Sequence, residues 1–261
     1  MTAKTILVIP DAHASPKHNN DRFDILGKLI IDEKPDVIVN IGDFADMESL
    51  CSYDKGKKSY EGRRYKKDIE ATLDAQNRLF APMRKYNKRR AKLKKKQYKP
   101  ELILTLGNHE ERINRATELH AELDGTIGIE DLQYTKNGWS VHPFGSPVFV
   151  NGVAFSHCFS SGVMGRPISG EHQAHSFIVK KHMSCVAGHT HTRDFCERTT
   201  ADGRRIQGLV VGCYLDEDQY ESYAGESNKM WWKGVVILRD VVNGSFEPEF
   251  INIKQLKEQY T

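Results

Sequence analysis

Aspartate, histidine and asparagine gather in five short segments of this chain: Asp11-Ala12-His13, Gly42-Asp43, Gly107-Asn108-His109-Glu110, Ser156-His157 and Gly188-His189-Thr190-His191. Carboxylate, imidazole and amide oxygen, with no thiolate among them, form a donor set that divalent manganese, iron, cobalt, nickel or zinc accepts. Asp11 and His13 stand two apart, so an extended chain would send both side chains to one face. Asp43 is preceded by Gly42, which permits a tight backbone turn. A carboxylate placed there can bridge two cations, held roughly 3.5–4 Å apart as in other two-metal sites. Asn108 offers a neutral amide oxygen. His109, expected at a helix start, can face a ligand without binding metal. His157, His189 and His191 complete two coordination spheres. Alone, each segment has an ordinary role: Asn108 as a helix cap, His157 as a core histidine, the last two histidines as part of a surface turn. Five in order point instead to a two-metal hydrolase.

The elements around these residues support that grouping. The first three segments directly follow the apolar runs ILVIP, VIVNI and LILTL, and in α/β sheets the site lies beyond the carboxyl ends of the strands. Residues 23–33 carry an amphipathic helical pattern between the first two runs, and residues 61–96 carry another, stopped by Pro100. Two β-α-β crossovers predict a largely parallel sheet with helices on its faces. Residues 110–123 read as a further helix, ending near Gly125. Beyond it the pattern turns β-rich, with hairpin signals at Asn151-Gly152, Asp202-Gly203 and Asn243-Gly244. Residues 173–182 predict a helix feeding the run SCVAGHTH. A parallel sheet facing a second, more antiparallel one is the expected architecture.

At 261 residues the chain can bury a substantial core, and its 39% hydrophobic and 28% charged content is ordinary for a globular protein. No apolar run is long enough to span a bilayer and the first residues read as a strand, so a cytoplasmic location without membrane partners is expected. The five cysteines are odd in number and lack CxxC spacing, against a disulfide framework or zinc ribbon. Cys158 reads as a small buried side chain rather than a soft ligand, and Trp231-Trp232 as the packed start of a strand. Net charge is only +3, yet residues 55–99 hold 18 Lys or Arg against four Asp or Glu, a local +14. Residues 52–99 are therefore read as a basic helical insert. Arg63, Arg64, Lys66 and Lys67 follow Asp43 closely and are interleaved with Tyr53, Tyr60 and Tyr65. That mixture suits a nucleic-acid backbone, DNA or RNA. The run Lys94-Lys95-Lys96 reads as a solvated helix end.

Together, D-x-H, GD-x-x-D, GNHE, the lone histidine and GHTH resemble the calcineurin-like metallophosphoesterases, over the stretch from Asp11 to His191. The basic insert is similar to stand-alone members encoded by tailed phages, which would place the protein in a host cytoplasm. The resemblance implies a single domain over 1–261, a four-layer α-β-β-α sandwich of two mixed sheets flanked by helices. It implies two divalent cations, manganese foremost, with Asp11, His13, Asp43 and His191 around one and Asp43, Asn108, His157 and His189 around the other. A metal-bridging hydroxide would attack phosphorus in line. His109 would act as general acid and Asp46 would support it. Arg112 resembles the arginine after GNHE in protein phosphatases and could grip a phosphate oxygen, and Arg63 and Arg64 are further substrate-binding candidates. One position departs from the pattern: Met47 stands where many monoesterases carry arginine. The expected function is a phosphodiesterase or nuclease, with a phosphomonoesterase as the alternative and a non-catalytic scaffold as a third reading.

Overall fold

The computed structural model describes residues 2–221 and 224–261. Strand β1 (Lys4–Ile9) leads through α1 (Asp21–Glu33) to β2 (Val37–Asn40), and α2 (Tyr65–Lys92) leads to β3 (Glu101–Thr105). Helix α3 (Glu111–Leu119) precedes β4 (Ser140–His142). A hairpin of β5 (Val148–Val150) and β6 (Val153–Phe155) follows, then a two-strand ladder of β7 (Ser160–Ser161) and β8 (Arg166–Pro167). Helix α4 (Gln173–Lys181) enters β9 (Ser184–Ala187). The chain continues with β10 (Arg193–Thr199), β11 (Arg205–Val211), β12 (Gly234–Val242), β13 (Ser245–Asn252) and α5 (Ile253–Tyr260). One sheet runs β13-β12-β1-β2-β3-β4 and the other β10-β11-β9-β6-β5, and both mix parallel and antiparallel pairs.

Strand alternation separates the layers. Ile6 and Val8 of β1, with Val37 and Val39 of β2, meet Phe155, Val186 and Leu209 of the second sheet. Their neighbours Leu7, Ile9 and Ile38 face the other way, onto Phe23, Leu26 and Leu29 of α1 and Leu79 and Phe80 of α2. On the outer face of the second sheet, Ala154, Cys185 and Val210 pack against Phe177 of α4. The result is the four-layer α-β-β-α sandwich. Strands covered on both faces need apolar residues throughout, which is why ILVIP and VIVNI do not alternate with polar residues.

All three expected hairpin turns join antiparallel strands, although β10, the first strand of the Asp202-Gly203 hairpin, was not foreseen. Helix α5 was not foreseen; the Asn252 side chain accepts from the N–H of Gln255 and caps it. The basic insert divides into two parts. Residues 52–60 form two short 3-10 turns, Ser52–Asp54 and Lys58–Tyr60, and the helix begins only at Tyr65. Helix α2 has 28 residues, so it is about 42 Å long at 1.5 Å per residue. Its start is tied to the loop after β2, where the Ser49 N–H donates to Asp68 at 2.9 Å. The run Lys94-Lys95-Lys96 lies exposed beyond its far end, where Arg90 donates back to the Lys96 carbonyl. No helix among the described residues is long and apolar enough to cross a membrane.

Candidate metal centre

Because β1, β2 and β3 are parallel neighbours, the loops carrying Asp11, Asp43 and Asn108 leave the sheet side by side. Strands β6 and β9 are parallel neighbours in the opposing sheet, and they deliver His157 and His189 to the same edge. Backbone bonds weld these loops together: the N–H groups of Ala12 and His13 donate to the Asp43 carbonyl, and that of Ala14 to Phe44. The backbone is strained as well, with His13, Asp43, His189 and His191 all in the left-handed region at φ of 42°, 50°, 73° and 61°. Such conformations cost of order 1–3 kcal/mol each and persist only where the surroundings over-determine them. Alternation along an extended strand therefore does not present Asp11 and His13 jointly; a left-handed turn at His13 does. Glycine is required where carboxylates press on the backbone. A Cβ on Gly107 would lie 2.0 Å from Asp43 Oδ1, and one on Gly188 would lie 2.2 Å from Asp11 Oδ1.

The seven expected ligands converge in two groups that share Asp43. In one, Asp11 Oδ2 lies 3.1 Å from His191 Nε2, and a His13 ring nitrogen lies 3.8 Å from Asp43 Oδ2. In the other, His157 Nε2 lies 2.9 Å from Asn108 Oδ1, 3.1 Å from His189 Nδ1 and 3.4 Å from Asp43 Oδ2. His157 Nδ1 donates to the Ile41 carbonyl at 3.1 Å, which leaves Nε2 as a lone pair among acceptors. The fit to cations rests on atoms without other partners. Both ring nitrogens of His13 and Nδ1 of His191 are buried with no hydrogen bond. Burial opposes the charge on Asp43, but His109, His157 and His13 outweigh it and hold its pKa well below the usual carboxylate range. Asp11, opposed by burial and favoured by His157 and His191, is lowered likewise. Ionised carboxylates among inward-facing imidazoles are what a divalent cation needs. Cys158 joins none of the ligand groups among the described residues, and burial pushes its thiol up to about 11.

His109 stands beside these groups, close enough to form a further cluster with His13 and Asp46. Its N–H donates to Asp43 Oδ1 at 2.8 Å, and its ring Nδ1 is 2.8 Å from Asp46 Oδ1. Arg112 donates to His109 Nε2 at 3.0 Å and to the Asp46 carbonyl at 2.8 Å. Burial, with the nearby charges of His13 and Arg112, lowers the His109 pKa. The two other arginines differ in surroundings. Arg63 pairs with Asp54 at 2.9 Å and with Glu48 at 3.5 Å, while Arg64 is exposed at the start of α2. Burial and the neighbouring Asp46 push Glu48 up to about 7.

Several supporting residues carried no assigned role in the sequence. Glu110, fully buried, accepts from the N–H groups of Asp43, Ala45 and Gly107 at 2.9 Å each and from the Tyr134 hydroxyl at 3.0 Å. It locks the loop after β2 to the loop after β3. Its place inside GNHE was the available signal. Arg22 donates to the carbonyls of Ala12 and Tyr214 and holds the first loop. Glu221 Oε1 lies 3.9 Å from His13 Nδ1, and Trp231 meets His191 edge to face at 4.2 Å. Nothing local in the sequence marked Arg22 or Glu221, and Trp231, expected only as part of a packed strand start, lies against His191 instead. Trp232 packs on Phe250 in the core, as expected of a strand start.

A solved phosphoesterase from E. coli, Yfce, aligns over 95% of this chain and 100% of its own, at 13% identity and a TM-score of 0.37. No curated protein matches the chain. A family model described as calcineurin-like phosphoesterase matches residues 4–162, which include Asp11, His13, Asp43, Asn108, His109 and His157. His189 and His191 lie beyond the matched stretch and join the centre by geometry. The chain belongs to the calcineurin-like phosphoesterases, metal-dependent hydrolases of phosphoester bonds.

Proposed function

We propose that the chain is a two-metal phosphodiesterase acting on nucleic acid, with manganese as its working metal. The observation that carries this reading is that Asp43 Oδ2 lies 3.8 Å from His13 on one side and 3.4 Å from His157 on the other, with His109 and Arg112 at the rim. Bound there, two divalent cations would neutralise phosphate oxygens and lower the pKa of a water ligand. The first cation would be held by Asp11, His13, Asp43 and His191, the second by Asp43, Asn108, His157 and His189. The rest is done by side chains. Asp46 holds His109 Nδ1 and so aims Nε2 into the cleft, where it can give a proton to the leaving oxygen. Arg112 donates to that same nitrogen; a phosphate oxygen offers its guanidinium a better partner and draws it off Nε2, which then takes up from water the proton that it passes on.

Two features favour a diester over a monoester. Met47 is fully buried beside Asp46 and offers no charge to a dianion. Arg115 at the rim and Arg64, Lys66 and Lys67 at the start of α2 are exposed and suit a polyanion that extends past the reacting phosphate. The manganese-loaded protein should hydrolyse bis-p-nitrophenyl phosphate faster than p-nitrophenyl phosphate. The reverse order would move the assignment to a phosphomonoesterase. Turnover of neither would leave a scaffold.

A further inference from the structure

A pocket of ≈ 330 Å³ is lined by Arg112 and by none of the expected metal ligands. The 3-10 turns of the insert form one wall and α3 with its continuation forms the other. Its apolar surface comes from Leu119 and Leu123 together with the rings of Tyr53 and Tyr60. Arg112 and Arg115 also line it. Both arginines touch the metal-centre loops: Arg112 through His109 and the Asp46 carbonyl, Arg115 through the Asn108 carbonyl at 3.0 Å. Tyr60 is fixed, its hydroxyl donating to the Ser49 carbonyl at 2.6 Å, whereas Tyr53 is 82% exposed.

We infer that this pocket seats the base of the nucleotide bonded to the reacting phosphate, on the leaving-group side. The inference rests on the phosphoester reading above and names its substrate class. Three features argue for it. His109 is the proton source for the leaving oxygen, so the leaving group lies on its side of the cleft, and Arg112 joins that side to the pocket. The volume is at the small end of ligand pockets, which run from roughly 300 Å³ upward, and accommodates a planar base rather than a long acyl chain. Flat rings beside guanidinium groups are the usual platform for an unpaired base. Lys55 also lines the pocket and adds positive charge, and Glu122 is the one acidic residue among the lining residues.

Calorimetry of the manganese-loaded protein with thymidine 5′-monophosphate, octyl phosphate and inorganic phosphate tests the inference without depending on turnover. One stacked base is worth about 1–3 kcal/mol, so the nucleotide should bind about tenfold tighter than inorganic phosphate. Ala116→Trp, which fills the pocket, and Tyr53→Ala, at an exposed position, should each reduce that advantage to about twofold or less while phosphate affinity holds. Equal binding of nucleotide and phosphate by the unaltered protein would overturn the inference, as would an advantage confined to octyl phosphate. Failure to hydrolyse any diester or monoester would instead overturn the proposed function, and the binding comparison would still report on the pocket.

Discussion

The metal centre and the basic insert lie next to each other and are built on opposite principles. At the candidate metal centre, carboxylates and imidazoles are buried, four of the expected ligands sit in left-handed backbone, and Glu110 closes the loops with four hydrogen bonds. In the insert, short turns carry exposed rings and charges, and Arg63 is taken up by Glu48 and Asp54. The comparison teaches that reaction and substrate are encoded differently. On the proposed function, the reaction depends on a few atoms held against strain, and the substrate on exposed side chains at the rim.

If that division is right, substitutions in the two regions must differ in kind as well as size. His109→Ala should keep its full metal content and lose about 10²–10⁴-fold in turnover, the usual contribution of a positioned acid. Metal analysis beside kinetics checks this, and loss of metal would move His109 into the ligand set. Glu110→Ala strands three buried N–H donors and should cost at least about 3 kcal/mol in urea unfolding. Glu221→Gln removes the carboxylate facing His13 and should weaken manganese binding about tenfold with little change in fold. In the insert the effects are smaller. Arg64→Ala should lower the salt slope of oligonucleotide binding by about one. Replacing Lys94, Lys95 and Lys96 together should change neither that slope nor stability beyond about 0.5 kcal/mol. A large effect there would bring the far end of α2 into the binding surface.

The same division explains what could be read in the sequence. The strands were legible because burial on both faces demands uninterrupted apolar runs, and the ligands because metal chemistry admits few residue types in few places. The glycines of GNHE and GHTH were visible too, though the reason, carboxylate oxygens against their Cα atoms, needed the structure. What stayed hidden depends on distant packing. Arg22, Glu221 and Trp231 reach the centre from segments without any motif. The left-handed turns at His13 and His191 follow from how loops of two sheets meet. In the insert the sequence foretold positive charge and a long helix, but not that two short 3-10 turns precede it and that it begins only at Tyr65. Nor did it foretell that the Arg63 charge is answered within the protein.

Manganese stoichiometry, measured by equilibrium dialysis on the metal-depleted protein before and after Asp43→Ala, tests the central claim most directly. Two equivalents per chain, with both sites lost or severely weakened in the variant, is the result expected of two groups sharing that carboxylate. A single equivalent that survives Asp43→Ala would contradict it.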